Sequence, residues 1–408
     1  MKYVTKTILI GCIAIATLLN GCSETKVIKI SDDVKKEVFA KSEDSKIRSE
    51  PVLKKKLSGL DNQEILFWID DENILTRSRP TPFEEEEEKV ILYSYNLESG
   101  ESIEILNDSN ITRIYDYWNG QGLILLGNKK QAFVYNPKER KLEEVLDIDK
   151  EFKDGIPGCK TPKEKQDLFI NYKVKFIDFN YISYESKIVS RDEMGMADRA
   201  EYTVLNYKDN KKYTVESRDS MAALSSKLDL TERNIYIQEL DKITKLNLET
   251  GEKSSMKLSV PRITNVFEDG TLFVECTEEN EKGINKEKWY KVDFDKKEVI
   301  KYEESFGGKD LSINGIDFKN KFVVYGYLEK RNNIEQSVTM YGKLEGDKFI
   351  VKDKLFKNNE ENGSDMSKEI IFSPNHNKFI AGVIETSKEN SSQGQQILKD
   401  DEYLFELE

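Results

Sequence analysis

The chain has 408 residues, 63 of them Lys or Arg and 76 Asp or Glu, for a formal net charge of −13. No basic patch of the kind that follows a phosphate backbone stands out, which excludes nucleic acid as a partner. The acidic balance also argues against docking on anionic lipid or anionic wall polymers. About 360 residues beyond the N-terminal region is long for one ordinary domain, but a closed all-β repeat reaches that size.

At the start, Lys2 and Lys6 precede an apolar stretch from Ile8 to Leu19. It is too short to span a bilayer, which takes about 20 apolar residues, and has the length of a signal-peptide core. It runs into Leu19-Asn20-Gly21-Cys22, which resembles the bacterial lipobox. The resemblance implies a signal peptide over residues 1–21, cleavage before Cys22, and acylation of that cysteine. One acyl chain holds only marginally, so diacylation would supply the two hydrophobic signals that stable anchoring needs. The expectation is a lipoprotein outside the cytoplasm, fixed to the cell membrane through lipid (palmitate or a similar chain) at Cys22. Residues 22–50 are rich in lysine and acid and poor in aromatics, the composition of a flexible tether. Asp32 to Ala40 has the pattern of a turn or two of helix.

From Pro51 onward a repeat emerges. Tyr95-Asn96-Leu97-Glu98-Ser99-Gly100-Glu101 matches Leu246-Asn247-Leu248-Glu249-Thr250-Gly251-Glu252. Weaker copies centre on Asn136, Asn206, Asp293 and Gly346. Each copy lies between short runs of alternating apolar and polar residues, with Asn, Asp or Gly at the bend, where tight turns demand positive φ. Neighbouring copies are mostly about 40–50 residues apart, the spacing of propeller blades. Near the C-terminus, Ile371-Phe372-Ser373-Pro374-Asn375-His376-Asn377-Lys378-Phe379-Ile380-Ala381 resembles the turn of TolB-like and WD-type propeller repeats. Phe267 to Phe273 is similar to a shorter version. The resemblance implies an all-β, seven-bladed β-propeller over 51–408, with six or eight blades left open.

In chain order the blades are expected at about 63–106, 111–146, 172–216, 222–258, 261–302, 311–353 and 368–408. The inner strand of the fourth, Ala222 to Leu228, also reads as helix. The last blade lacks an outer strand. Val52 to Leu57, placed ahead of the first blade, is expected to supply it and remove an unpaired edge. With four antiparallel strands a to d per blade, b–c and d–a connections emerge at one face, a–b and c–d turns at the other. Five b–c connections look long and polar: around Arg79 to Glu84, Arg191 to Arg199, Glu278 to Glu287, Glu329 to Glu335, and Ser387 to Asp401. The d–a connections Asp147 to Asn171 and Lys354 to Met366 leave on the same face. Loops longer than closure requires usually carry function.

The expected binding face therefore includes Arg79, Phe83, Glu84, Glu86, Arg191, Asp192, Met194, Arg199, Glu279, Glu281, Arg331 and Lys388. Glu84 to Glu88 reads as a solvated acidic run, because calcium loops interleave their ligands with Gly and Asn. No metal and no cofactor is expected. His376 is the single histidine. It falls in a short a–b turn opposite the elaborated face, and no GxSxG elbow is present, so nucleophilic triad chemistry is not expected. Trp68, Trp118 and Trp289 lie in or beside strands, where packing is the commoner role. Once Cys12 leaves with the signal and Cys22 takes lipid, Cys159 and Cys276 remain, as a disulfide or as two buried thiols. The functional expectation is a non-enzymatic binding, scaffold or sensor protein for a protein, peptide or wall-derived ligand. The alternative is a surface hydrolase or lyase on glycan or peptide, using carboxylates at the channel mouth.

Overall fold

The computed structural model describes residues 48–60, 62–79, 89–118, 122–152, 174–178, 180–191, 197–217, 223–224, 233–267, 269–279, 285–305, 312–331, 334–356, 366–367, 370–386 and 397–408. Within them the chain forms seven sheets arranged as a β-propeller. Blade one is β2 (Gln63–Trp68), β3 (Asn73–Ser78), β4 (Ile91–Asn96) and β5 (Ser102–Asn107). Blade two is β6 (Arg113–Trp118), β7 (Leu123–Gly127), β8 (Gln131–Asn136) and β9 (Lys141–Asp147). Blade three is β10 (Lys175–Asp178), β11 (Tyr181–Arg191), β12 (Ala197–Asn206) and β13 (Lys211–Ser217). Blade four is β14 (Ala223–Leu224), β15 (Asn234–Gln238), β16 (Lys242–Asn247) and β17 (Lys253–Lys257). Blade five is β18 (Pro261–Val266), β19 (Leu272–Glu279), β20 (Asn285–Asp293) and β21 (Glu298–Lys301). Its successor, blade six, is β23 (Ser312–Asp317), β24 (Phe322–Arg331), β25 (Ile334–Glu345) and β26 (Lys348–Lys354). Blade seven joins β27 (Met366–Ser367) and β28 (Ile371–Phe372) to β29 (Lys378–Thr386) and β30 (Ile397–Leu407). Seven is thus the blade number, and the boundaries fall within a few residues of those expected.

The ring closes as expected. β1 (Pro51–Lys56) pairs antiparallel with β30, from Pro51 opposite Leu407 to Lys56 opposite Tyr403, and so becomes the outer strand of blade seven. The closure is reinforced on the inner side, where Trp68 donates from Nε1 to the Ile371 carbonyl at 3.0 Å, linking the inner strands of blades one and seven. Glu50, just ahead of β1, accepts from Lys352 Nζ and, at 3.1 Å, from the Tyr341 hydroxyl, which ties it to blade six.

Each blade is sandwiched between two others, so its second strand is covered on both faces. Strands in that situation carry continuous apolar runs instead of alternation. Ile124-Leu125-Leu126, Ile235-Tyr236-Ile237, Val323-Val324-Tyr325 and Phe379-Ile380-Ala381 are all buried. Outer strands such as β21 are exposed along their whole length. Trp68 and Trp289 belong to the packed core between blades.

The repeat noticed in the sequence has a single cause. At the end of the third strand, the side-chain Oδ1 of Asn96, Asn136, Asn247 or Asp293 accepts backbone N–H bonds from the residues two and three further on; Asn206 caps Lys208 in the same way. Four residues after each cap stands a left-handed residue: Gly100, Arg140, Asn210, Gly251 and Lys297. The Asx side chain starts the turn and the positive φ ends it.

Two features depart from expectation. Among the described residues, the inner strand of blade four comprises Ala223–Leu224. Blade six gains a fifth strand, β22 (Glu303–Ser305), which pairs parallel to β26 and covers the outer edge of that blade.

Candidate functional site

Antiparallel order holds in all seven blades, so the b–c connections share one face. Their form differs from expectation. What composition marks as long polar loops is largely strand. In blade six, β24 and β25 pair from Phe322 opposite Lys343 out to Arg331 opposite Ile334, leaving only residues 332–333 between them. The inner partner β23 ends its pairing at Gly326 and the outer partner β26 at Met340. Residues 328–331 and 334–337 therefore pair with each other beyond the ladders of both neighbours, as a two-stranded ribbon. Lys330 stands opposite Glu335 in its register. The mostly charged and amide run Glu329 to Gln336 is what suggests a loop in the sequence.

The same construction recurs. In blade three, Ile188 to Arg191 pair with Ala200 to Ala197 past the end of the inner strand. In blade five, Thr277 to Glu279 pair with Glu287 to Asn285 past the inner strand, which stops at Cys276. In blade seven, Glu385 and Thr386 pair with Lys399 and Ile397. By contrast, blades two and four turn within three residues after β7 and β15. Among the described residues, ribbons thus extend from blade three and from the consecutive blades five, six and seven.

The residues expected on this face divide accordingly. Arg191, Arg199, Glu279 and Arg331 lie in strands of the ribbons, a correction to their placement in loops. Arg199 pairs with Glu216 of the neighbouring strand, and Glu279 is exposed. Arg79 is half-buried and donates from Nε to the Gln63 carbonyl at 3.1 Å, bracing the lead into blade one. Phe83, Glu84, Glu86, Asp192, Met194, Glu281 and Lys388 lie outside the described residues, as do Cys22 and Cys159. Cys276 is buried, and burial pushes its thiol up to about 12. Of the long d–a connections, the described part of the first is a short helix, α1 (Ile148–Glu151), capped by Asp147. It packs between blades two and three, where Glu151 accepts from Lys212 at 2.5 and 2.7 Å and from Tyr184 at 2.8 Å.

His376 sits in the a–b turn of blade seven with a φ of 62°. Its Nδ1 lies 2.8 Å from Asp317 of the blade-six a–b turn, and its carbonyl accepts from Asn320 at 2.5 Å. These contacts lock adjacent blades at the short-turn face. Arg48 donates its backbone N–H to the same Asn320 at 3.3 Å.

Sequence reasoning did not locate a cavity that the described residues form. It measures about 520 Å3 and lies along the inner strands of blades seven, one and two, with Glu64, Arg77, Asp116, Tyr117 and Glu402 among its polar lining. Ile114 and Ile371 add apolar wall. Glu64 and Arg77 are cross-strand partners, each one residue in from the b–c end of its strand. The guanidinium donates from both Nε and a terminal nitrogen to one carboxylate oxygen, Glu64 Oε2, at 2.7 and 2.6 Å. Asp116 follows a bulge in β6 and turns its carboxylate toward blade three. There it accepts the Phe176 N–H at 2.9 Å, and it also caps the N–H of Tyr117 at 2.9 Å. Burial raises the Asp116 carboxyl above the ordinary range, against the pull of those two N–H bonds. Tyr117 is 38% exposed, and its ring stacks on the fully buried Phe67 at 5.8 Å between centroids. Strand alternation alone could not mark these positions, because the bulges in the inner strands shift which residue faces the channel.

No protein-family model and no curated protein sequence matches the chain. Solved structures do. An oligogalacturonate lyase from Vibrio parahaemolyticus is 12% identical, covering 88% of this chain and 98% of that one, with a TM-score of 0.46. The β-propeller domain of the Trilobed protease from Pyrococcus furiosus is 12% identical over 83% and 96%, with a TM-score of 0.45. An acylaminoacyl peptidase from Pyrococcus horikoshii is 11% identical over 84% of this chain and 53% of that one, with a TM-score of 0.49. The chain spans about half the length of that peptidase. At such identities the likeness is one of fold alone.

Proposed function

We propose that the protein is an extracytoplasmic binding protein, anchored to the membrane through lipid at Cys22, that captures its ligand or partner on the b–c face of the propeller. The observation that carries this reading is the ribbon sector. Strand pairs that outrun their blades cost ordering entropy and add nothing to ring closure. They bring paired strands together on one side. Such a rim suits a protein, peptide or wall-derived ligand. The lead-in at Arg48 and Ser49 lies at the opposite, short-turn face.

The test is to replace residues 328–337 with a short turn and repeat a crosslinking pull-down from intact cells. Loss of capture at an unchanged melting temperature is expected, and undiminished capture refutes the reading. For the anchor, Cys22→Ala should move the protein into the soluble fraction; retention at the membrane would exclude it.

A second reading, hydrolysis or lysis of glycan or peptide, is favoured by one feature: Asp116, whose carboxyl burial raises above its ordinary value, lines a cavity with other carboxylates. Against it, both Asp116 oxygens are engaged by backbone N–H groups, and Glu64 is committed to Arg77. Turnover of an oligosaccharide or peptide substrate that disappears in Asp116→Asn, with binding intact, would establish catalysis.

A further inference from the structure

The cavity beside the ribbon sector points to a ligand class. We infer that it binds a short oligosaccharide free of acidic groups. This deepens the binding reading and rests on entry from the b–c face. Four observations converge. The volume of about 520 Å3 is that of a small-molecule site. Tyr117 presents a ring that is 38% exposed and fixed from behind by Phe67, which is fully buried. A preset aromatic plate of this kind offers its face to the C–H side of a sugar ring at little entropic cost, since the stack beneath has already removed its rotameric freedom.

The polar groups around the plate are mostly acceptors. Glu64 and Glu402 contribute carboxylates, and each carboxylate has about four lone-pair sites. Adjacent hydroxyls of a sugar are donors at the spacing a carboxylate can take in pairs. Arg77, the cation among the described lining residues, meets Glu64 through Oε2, so its charge is matched inside the wall. What remains is an acceptor-rich, net negative lining that repels uronate, sulfate or phosphate groups and admits neutral or amine-bearing rings. The apolar flank of Ile114 and Ile371 suits the remaining C–H surface.

Titration calorimetry of the purified full chain in detergent, with three tetrasaccharides, tests this. Cellotetraose or a chitosan tetramer should bind, and tetragalacturonate should not. Tyr117→Ala should weaken binding at least tenfold, while Tyr117→Phe, which keeps the plate, should bind like the parent. Glu64→Gln leaves the Arg77 charge unmatched and should admit tetragalacturonate, a gain that no folding defect can imitate. Failure of both non-acidic sugars to bind the parent chain overturns the proposal. So does parent-like affinity in Tyr117→Ala, or a parent chain that takes tetragalacturonate equally well. Deleting the ribbon tip separates the two readings: sugar binding should persist there, and if partner capture persists as well, the ribbon reading alone falls.

Discussion

The two faces of the ring are built from the same strands but under different rules. At the a–b and c–d face, chain reversals are short and repeat one chemistry: an Asx cap, then a left-handed residue. Neighbouring turns are stitched together, as His376 is to Asp317 and Lys378 is to the Asp71 carbonyl at 3.1 Å. At the b–c and d–a face, only blades two and four among those with described connections turn tightly, while blades three, five, six and seven send ribbons outward. Stability is concentrated at the first face and variety at the second. A scaffold that keeps its tolerance for change on one rim can alter what it binds without reopening its core.

The comparison can be broken most severely at the closure. Removing residues 51–56 strips β30 of its outer partner and exposes an unpaired edge. The expected result is loss of more than about 4 kcal/mol, in the range reserved for gross structural damage, with aggregation in size-exclusion chromatography. A stable monomer would show that the ring does not depend on its N-terminal strand.

A cap on the short-turn face comes next. Asn247→Ala leaves the N–H groups of Glu249 and Thr250 without their acceptor, at a cost of about 1 kcal/mol. Chemical denaturation would detect it as a lower midpoint at unchanged slope. An effect of zero would mean that the repeat residues are not stabilising turns.

Between the faces, Glu151 supplies a pH-dependent contribution. Burial acts to raise its carboxyl, but the hydrogen bonds from Lys212 and Tyr184 outweigh it and hold the group below its usual range. With the folded value lower than the unfolded one, the stabilisation is present above the unfolded pKa and is lost as pH falls through the folded one. Thermal unfolding of the parent and of Glu151→Gln should therefore differ at neutral pH and converge in acid below the carboxylate range. A constant difference across pH would rule out the ion pair as its source.

The smallest effect is expected at a ribbon tip. Lys330→Ala with Glu335→Ala removes one opposite-charge pair in the cross-strand register and should shift stability by less than about 0.5 kcal/mol. A larger loss would mean that the ribbons are part of the scaffold and not an appendage to it.

Much of the scaffold was legible because its determinants are local. The Asn-x-x-x-Gly turns announce themselves by residue type, and their spacing counts the blades. Val52 to Leu57 could be assigned to the last blade because a missing partner at one terminus matched a spare strand at the other. The ribbons were harder. Glu329 to Gln336 is mostly charged or amide, and composition cannot distinguish a polar hairpin from a loop. The parallel strand Glu303–Ser305 has no turn signal at all and depends on a neighbouring edge.

The amino-acid sequence by itself determined a propeller with seven blades as the leading count, the antiparallel order that sorts connections onto two faces, and the strand that seals the ring, and the structure then fixed the count at seven. These follow from turn chemistry and apolar runs, which act over a handful of neighbouring residues. Only the tertiary structure decided that Glu64, Arg77, Asp116, Tyr117 and Glu402 share a cavity. Those residues come from three blades, and the last is more than 280 positions away from the others. Their meeting is set by ring closure and by bulges in the inner strands, and neither leaves a periodic trace in the chain.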